Sequence, residues 1–170
     1  MQPRTTLLKQ GSVARSIFFI QKGCLRVGYC EGSGKDITFQ FFFENDRVAS
    51  IESFMSGEPS DCYIEAIEES TLFVLAKNDF DLLVKDFPEI KELFFHIAMA
   101  RFTHYARLFR SYISHKPKER YLELLKTDPR IIERVPQHYI ASYLGITPVS
   151  LSRIRNSVSR MSHVSSPIIS

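Results

Sequence analysis

The sequence predicts an α+β chain in three parts: a sandwich or barrel of short strands, one long helix, and a C-terminal helix-turn-helix. Three observations carry that prediction. Glycine-punctuated apolar runs recur at short spacing from residue 7 to about 76. Aromatic residues then recur at alternating spacings of 3 and 4 between Phe95 and Tyr112. Finally, Gln137 to Arg155 (QHYIASYLGITPVSLSRIR) places each residue type where two steeply crossing helices need it.

In the strand region, Ile17-Phe18-Phe19-Ile20 and Leu25-Arg26-Val27-Gly28-Tyr29 flank Gln21-Lys22-Gly23, the pattern of a hairpin that turns at Gly23. Gly32-Ser33-Gly34 predicts a second turn, leading into the run Ile37 to Phe43. Tyr63–Ile67 and Thr71–Leu75 read as two further strands. Cys24, Cys30 and Cys62 cannot all pair with one another and lack close metal-ligand spacing, so they read as reduced thiols in strands.

From Asn78 the pattern is helical. Asn78 is placed to cap Asp79–Lys85, and Pro88 to open a helix reaching about Ser114. Phe95, Ala98, Phe102, Tyr105, Phe109 and Tyr112 form a heptad seam that predicts self-association into a homodimer. Ile90, Leu93, Ile97 and Ala100 form a second stripe, suited to cover the strand domain. The alternative is that both stripes belong to one intramolecular core. His115-Lys116-Pro117-Lys118 marks the boundary, with a short helix over 117–127 ended by Asp128-Pro129. The expected divisions are 1–87, 88–115 and 116–170.

Within 137–155, Ile140, Leu144, Ile146, Leu151 and Ile154 are the apolar residues two crossing helices would bury, and Ala141 sits at their closest approach. Gly145 suits the left-handed turn, while Thr147-Pro148 supplies an N-cap and a first helical residue. At about 100° per residue, Leu151, Ile154 and Val158 point inward. The opposite face carries Val149, Arg153 and Asn156, flanked by Thr147, Ser150, Ser152, Arg155 and Arg160. Arginine can bond both guanine acceptors, asparagine suits adenine, and valine can meet a thymine methyl. Arg155 and Arg160 can equally touch phosphate alone. Six serines in the last 14 residues predict fraying after Val158.

Charge follows the same division. Residues 1–100 hold 10 Lys+Arg against 15 Asp+Glu, a net of −5, whereas 101–170 hold 12 against 4, a net of +8. A basic C-terminal part that coincides with the helix pair is the footprint of a polyphosphate partner, here double-stranded DNA. Hydrophobic content of 44% and charged content of 24% suit a soluble globular chain. No run approaches the ~18 apolar residues of a membrane span. The start, Met1-Gln2-Pro3-Arg4-Thr5, lacks a signal-peptide layout, so the cytoplasm is the expected compartment. No phosphate-cradling loop, nucleophile elbow or paired metal-ligating histidines are present, which argues against an enzyme. His96, His104, His115 and His138 read as surface or interface residues, with no metal or cofactor expected.

Leu7-Leu8-Lys9-Gln10-Gly11, Ile17 to Gly23 and the 137–155 motif, in this order around an aromatic-rich helix, resemble the Crp/Fnr family of bacterial transcription regulators. The resemblance covers residues 7 to about 158. It implies a β-roll of the double-stranded jelly-roll type acting as sensor, a long dimerisation helix, and a DNA-binding domain reading a palindromic operator. Where the outcome is activation, it implies RNA polymerase as a further partner. Members usually carry about a helix and a strand before the point matching Leu7, so a truncated or naturally shortened form is one expectation.

The departures from the family are specific. Members that bind cyclic AMP carry a Gly-Glu pair and, later in the same loop, an Arg-Ser or Arg-Thr pair. Ala49-Ser50 and Ser60-Asp61 stand there instead. With Ile51 these residues mark the expected effector pocket, whose ligand is unidentified and is not expected to be cyclic AMP. Iron–sulfur members need an N-terminal cysteine cluster, absent here. In the recognition helix, Pro148-Val149 replace the family's initial Arg-Glu, while Arg153 keeps its later arginine. The reading is a sequence-specific, homodimeric transcriptional regulator. The alternative is a ligand-sensing or protein-interaction module of the same fold with a vestigial DNA-binding domain.

Overall fold

A computed structural model of the chain describes residues 1–164, with side chains described through Arg160. It divides into two compact units, Met1–Arg110 and the residues from Ser111 onward.

The first unit is an antiparallel roll. Strands β1 (Thr6–Leu8), β6 (Tyr63–Ala66), β3 (Leu25–Cys30) and β4 (Asp36–Phe42) form one sheet in that spatial order. Strands β5 (Arg47–Val48), β2 (Ser16–Lys22) and β7 (Thr71–Ala76) form the other. Leu25, Val27, Phe42 and Ile64 from the first sheet share one core with Ile17, Phe18, Ile20 and Val48 from the second. Two sheets closing on a common apolar layer is how a chain of short strands buries both inner faces.

The hairpin expected at Gly23 does not form, because β2 and β3 lie in different sheets. Gly23, at φ +108, turns the chain from one sheet to the other against Ser70. A Cβ there would stand 2.2 Å from Ser70 Oγ and 2.7 Å from Ser70 Cα, so only glycine passes this corner. Cys24 and Leu25 are then both fully buried in succession, which no half-exposed hairpin strand would allow. The hairpin expected at Gly32–Gly34 does form: Gly34 adopts φ +83 and its N–H donates to Glu31 O at 2.8 Å.

Other expectations shift. The stretch 46–61 contains β5 and a short helix, α1 (Ile51–Ser56), closed by left-handed Gly57. Helix α2 (Lys77–Asp86) is capped at Ala76 without a side-chain bond, so Asn78 lies inside it and is not its cap. Of the cysteines only Cys30 is in a strand. Cys24 lies in the Gly23 corner and Cys62 before β6, and none of the three is in a disulfide.

Helix α3 (Glu89–Ser114) runs as predicted, yet its inward stripe differs. Ile90 and Phe94 pack on the roll's core, with Phe94 5.1 Å from Phe80, itself 5.3 Å from Phe54. Leu93 lines the cavity beside the roll but stays largely exposed, and Ala100 is exposed. The 3.6-residue repeat brings Ile90, Phe94, Ile97 and Arg101 into register, a 4-3-4 spacing, in place of the predicted 3-4-3.

On the outer side of the first sheet, buried Arg26 donates to Asp36 and Glu65 at 2.8 Å each and to Thr38 at 3.1 Å. Its guanidinium lies 5.0 Å from the Tyr63 ring, and the Tyr63 hydroxyl donates to Asp36. Burial first, then that bond to a carboxylate, hold the Tyr63 phenol far above its usual range. Gly28 makes the room, since a Cβ there would stand 2.5 Å from Tyr63 Oη. A buried charge so fully paired is tolerated where a lone one is not.

The second unit contains α4 (Pro117–Thr127), α5 (Pro129–Arg134), α6 (Gln137–Tyr143) and α7 (Pro148–Val164). Asp128-Pro129 ends α4 but at once starts α5, because proline suits a first helical turn. Helix α7 continues past Val158, where fraying was predicted, to Val164. The remainder of the Ser-rich tail lies outside the described residues.

Candidate nucleic-acid interface and ligand cavity

The helix pair α6–α7 is closed by a small, fully buried apolar contact. Ile140, Ala141, Leu144 and Leu151 are each at most 2% exposed, and Tyr121, Leu124, Ile131 and Val135 complete the core beneath them. Ala141 is fully buried at the crossing, and Ile146, which the pattern placed inward, is only half-buried. At the turn Gly145 takes φ +65, and the Ile146 N–H donates to Ala141 O at 3.0 Å. Thr147 Oγ1 accepts the Ser150 N–H at 3.2 Å, the N-cap bond that frees α7 to start at Pro148.

That packing decides which residues face out. Leu151 is buried and Ile154 and Val158 are half-buried, whereas Val149, Ser152, Arg153, Asn156 and Arg160 are exposed. Val149, Arg153, Asn156 and Arg160 follow a 4-3-4 spacing and so share one face of α7. Ser150 and Arg155 are half-buried at its flanks, and the Thr147 hydroxyl is engaged in the cap and with Ser150 Oγ. From Ser111 to the C-terminus the chain holds nine Lys and Arg against four Asp and Glu. The face can meet a polyanion and present donors to base edges.

Arg120 of α4 holds the turn in place, a role that sequence reading missed. Its Nη2 donates to Leu144 O at 2.6 Å and its Nη1 to His115 O at 2.9 Å, with the guanidinium 4.7 Å from the Tyr112 ring. Tyr112 Cε1 would lie 3.2 Å from a Cβ at Gly145. Nearby, the Ser111 hydroxyl donates to Glu123 at 3.0 Å, and His115 Nδ1 stands 3.3 Å from the same carboxylate. Nothing local announces these partners; only the tertiary approach of Leu144 and His115 to α4 creates them.

The predicted seam of α3 is mostly uncovered: Phe95, Phe102 and Phe109 are 60–68% exposed. Ala98 is half-buried, while Tyr105 and Tyr112 are less exposed than the phenylalanines.

A cavity of about 700 Å³ lies inside the first unit, between the roll and α3. Of the expected effector residues, Ala49, Ser50 and Ile51 line it and Ser60 and Asp61 do not. Ser60 is 3% exposed, its hydroxyl 2.9 Å from Ser50 Oγ and 2.8 Å from the Cys62 carbonyl, and Asp61 is exposed. The sequence did not point to Phe19, Phe39 and Phe42 from the strands or Arg101 from α3 as further walls; Ile97, expected against the strand domain, and Tyr105, expected in the seam, line it too.

Residues 1–87 match the family described as Cyclic nucleotide-binding domain. The chain belongs to that family. The cyclic nucleotide-binding domain here continues into α3 and the helix-turn-helix, and the whole has the Crp/Fnr-type fold. FixK2 from Bradyrhizobium japonicum superposes with a TM-score of 0.81 at 15% identity, over 95% of this chain and 83% of that one. CLP from Xanthomonas campestris, a c-di-GMP responsive global regulator, does so at 0.75 and 14%, over 95% and 86%. A CooA mutant from Carboxydothermus hydrogenoformans follows at 0.72 and 17%, over 95% and 75%. At such identities the likeness is one of fold. No curated protein matches the chain by sequence. No helix among the described residues is long and apolar enough to cross a membrane.

Proposed function

We propose that the chain is a cytoplasmic, homodimeric transcriptional regulator of the Crp/Fnr type, which reads a palindromic DNA site with α7 and does not respond to cyclic AMP. The observation that carries this reading is the face of Val149, Arg153, Asn156 and Arg160, exposed above a sealed Leu151 contact. A helix so anchored and so surfaced can enter a major groove. The exposed phenylalanines of α3 supply the surface for a second copy, with residues 1–87 as sensor, 88–115 as dimerisation helix and 116–170 as DNA-binding domain.

Cyclic AMP fits poorly. In members that bind it, one loop supplies the cation for the cyclic phosphate and the carboxylate for the ribose, and at those two positions stand Ser60 and Ser50, bonded to each other. Losing the buried charge pair costs roughly 2–5 kcal/mol. The cavity remains for another effector, and RNA polymerase would be a further partner if the outcome is activation.

Selection of genomic DNA fragments by the purified protein, without added ligand and at two salt concentrations, tests the reading. A palindrome with half-sites about one helical turn apart is expected. Recovery of salt-labile, random DNA alone would favour the second reading, a ligand-sensing or interaction module with a vestigial DNA-binding domain. The apolar Val149, 62% exposed near the start of α7, leaves room for that alternative.

A further inference from the structure

The cavity of the first unit has a composition that selects its occupant. Its walls are mainly apolar, with Phe19, Phe39, Phe42, Val48 and Ile97 among them. Three charged side chains reach it: Arg47 and Arg101 against Glu52. Arg101 is half-buried, and its guanidinium rests 4.6 Å from the Phe42 ring. No carboxylate pairs with Arg101 among the described residues. A partly desolvated guanidinium held only by an aromatic face has all its donors available to a planar acid.

Resting on the reading of this unit as an effector domain, we propose that the cavity binds an apolar monocarboxylate, with Arg101 as the counter-ion. Two cations against one carboxylate leave a single positive charge to be met. Guanidinium and carboxylate match in bidentate geometry, and the aromatic and aliphatic walls take a hydrocarbon body. A nucleotide would leave its ribose hydroxyls and base edges against apolar walls, where unpaired polar groups are costly. Arg101 adjoins Phe102 in α3, so the acid is sensed on the helix that carries the exposed seam.

The test uses the full chain, with octanoate, 1-octanol and cyclic AMP titrated by calorimetry. Octanoate is expected to bind at least about tenfold more tightly than octanol, the effect of one charge-assisted pair. Arg101→Gln should erase that preference without changing octanol binding, and Arg101→Lys should restore part of it. Equal affinities for acid and alcohol in the parent, or a preference that survives in Arg101→Gln, would overturn the proposal. So would cyclic AMP binding more tightly than octanoate. DNA selection on the same preparation separates the two readings. Octanoate binding without sequence-specific DNA removes the regulator and leaves the cavity assignment. Specific DNA without octanoate preference does the reverse.

Discussion

Helices α3 and α7 of this chain handle their apolar residues in opposite ways. In α7 the apolar residues turn inward, with Leu151 fully buried, and Val149 alone is a large hydrophobic among its exposed described residues. In α3, Phe95, Met99, Phe102, Phe109 and Ile113 stand 43–72% exposed, although Ile90 and Phe94 on the same helix pack on the roll. An exposed polar face is a finished surface in water, whereas a row of exposed phenylalanines is favourable only once covered. The contrast supports the proposal of different partners: a polyanion for α7 and an apolar surface, best met by the same helix of a second copy, for α3.

Breaking the α3 side should give the largest effect. Phe102→Asp with Phe109→Asp removes two side chains whose burial contributes about 1.5–3 kcal/mol each. Sedimentation equilibrium should show self-association weakened by at least about a hundredfold, with thermal unfolding little changed. Unaltered association would place the interface elsewhere. On the α7 side, Ala141→Leu overfills the closed helix contact at an expected cost of about 1–3 kcal/mol, read as a lower denaturation midpoint. Arg153→Ala should leave the fold intact and weaken the best DNA site by roughly 1–3 kcal/mol while relaxing one base position. An equal loss on random DNA would restrict Arg153 to the backbone.

Two smaller effects sharpen the contrast. Thr147→Ala removes the N-cap bond of α7 and should cost about 1 kcal/mol, measured by chemical denaturation. At the end of α3, burial holds the Tyr112 phenol above its usual value, partly opposed by the Arg120 charge. A phenol raised in the fold stabilises fully below the unfolded value of about 10 and loses that contribution as pH climbs further. Phenolate absorbance should therefore show Tyr112 ionising late together with Tyr63 and Tyr105, whose phenols burial also raises, and Tyr112→Phe should lower the late amplitude by one phenol. A variant that loses its phenol from the early amplitude instead would contradict the packing of Tyr112 at Gly145.

The helix-turn-helix was legible because its determinants are local. Ala141, Gly145 and Thr147-Pro148 act within one short segment, through sterics, a left-handed turn and a cap. The roll was legible only in outline. A strand, a glycine and a strand spell a hairpin and a sheet-to-sheet corner alike, and Ser70, 47 positions beyond Gly23, decides between them. Likewise Ala49, Ser50 and Ile51 were found from the motif, but Arg101, which gives the cavity its charge, comes from a helix distant in sequence.

By itself the sequence determined where strands yield to helices, which residues surface α7, the basic character of the C-terminal part, and the absence of a cation at positions 49–50 and 60–61. These follow from periodicity, capping and residue chemistry, whose range is a few residues. Tertiary structure alone decided that β2 and β3 part at Gly23, that Phe94 packs on the roll's core while Leu93 only borders the cavity, that Arg120 holds the Leu144 turn, and that Arg101 faces an apolar cavity. Each of those depends on side chains brought together from distant parts of the chain, where close packing and the pairing of buried polar groups choose among arrangements that local rules leave equivalent.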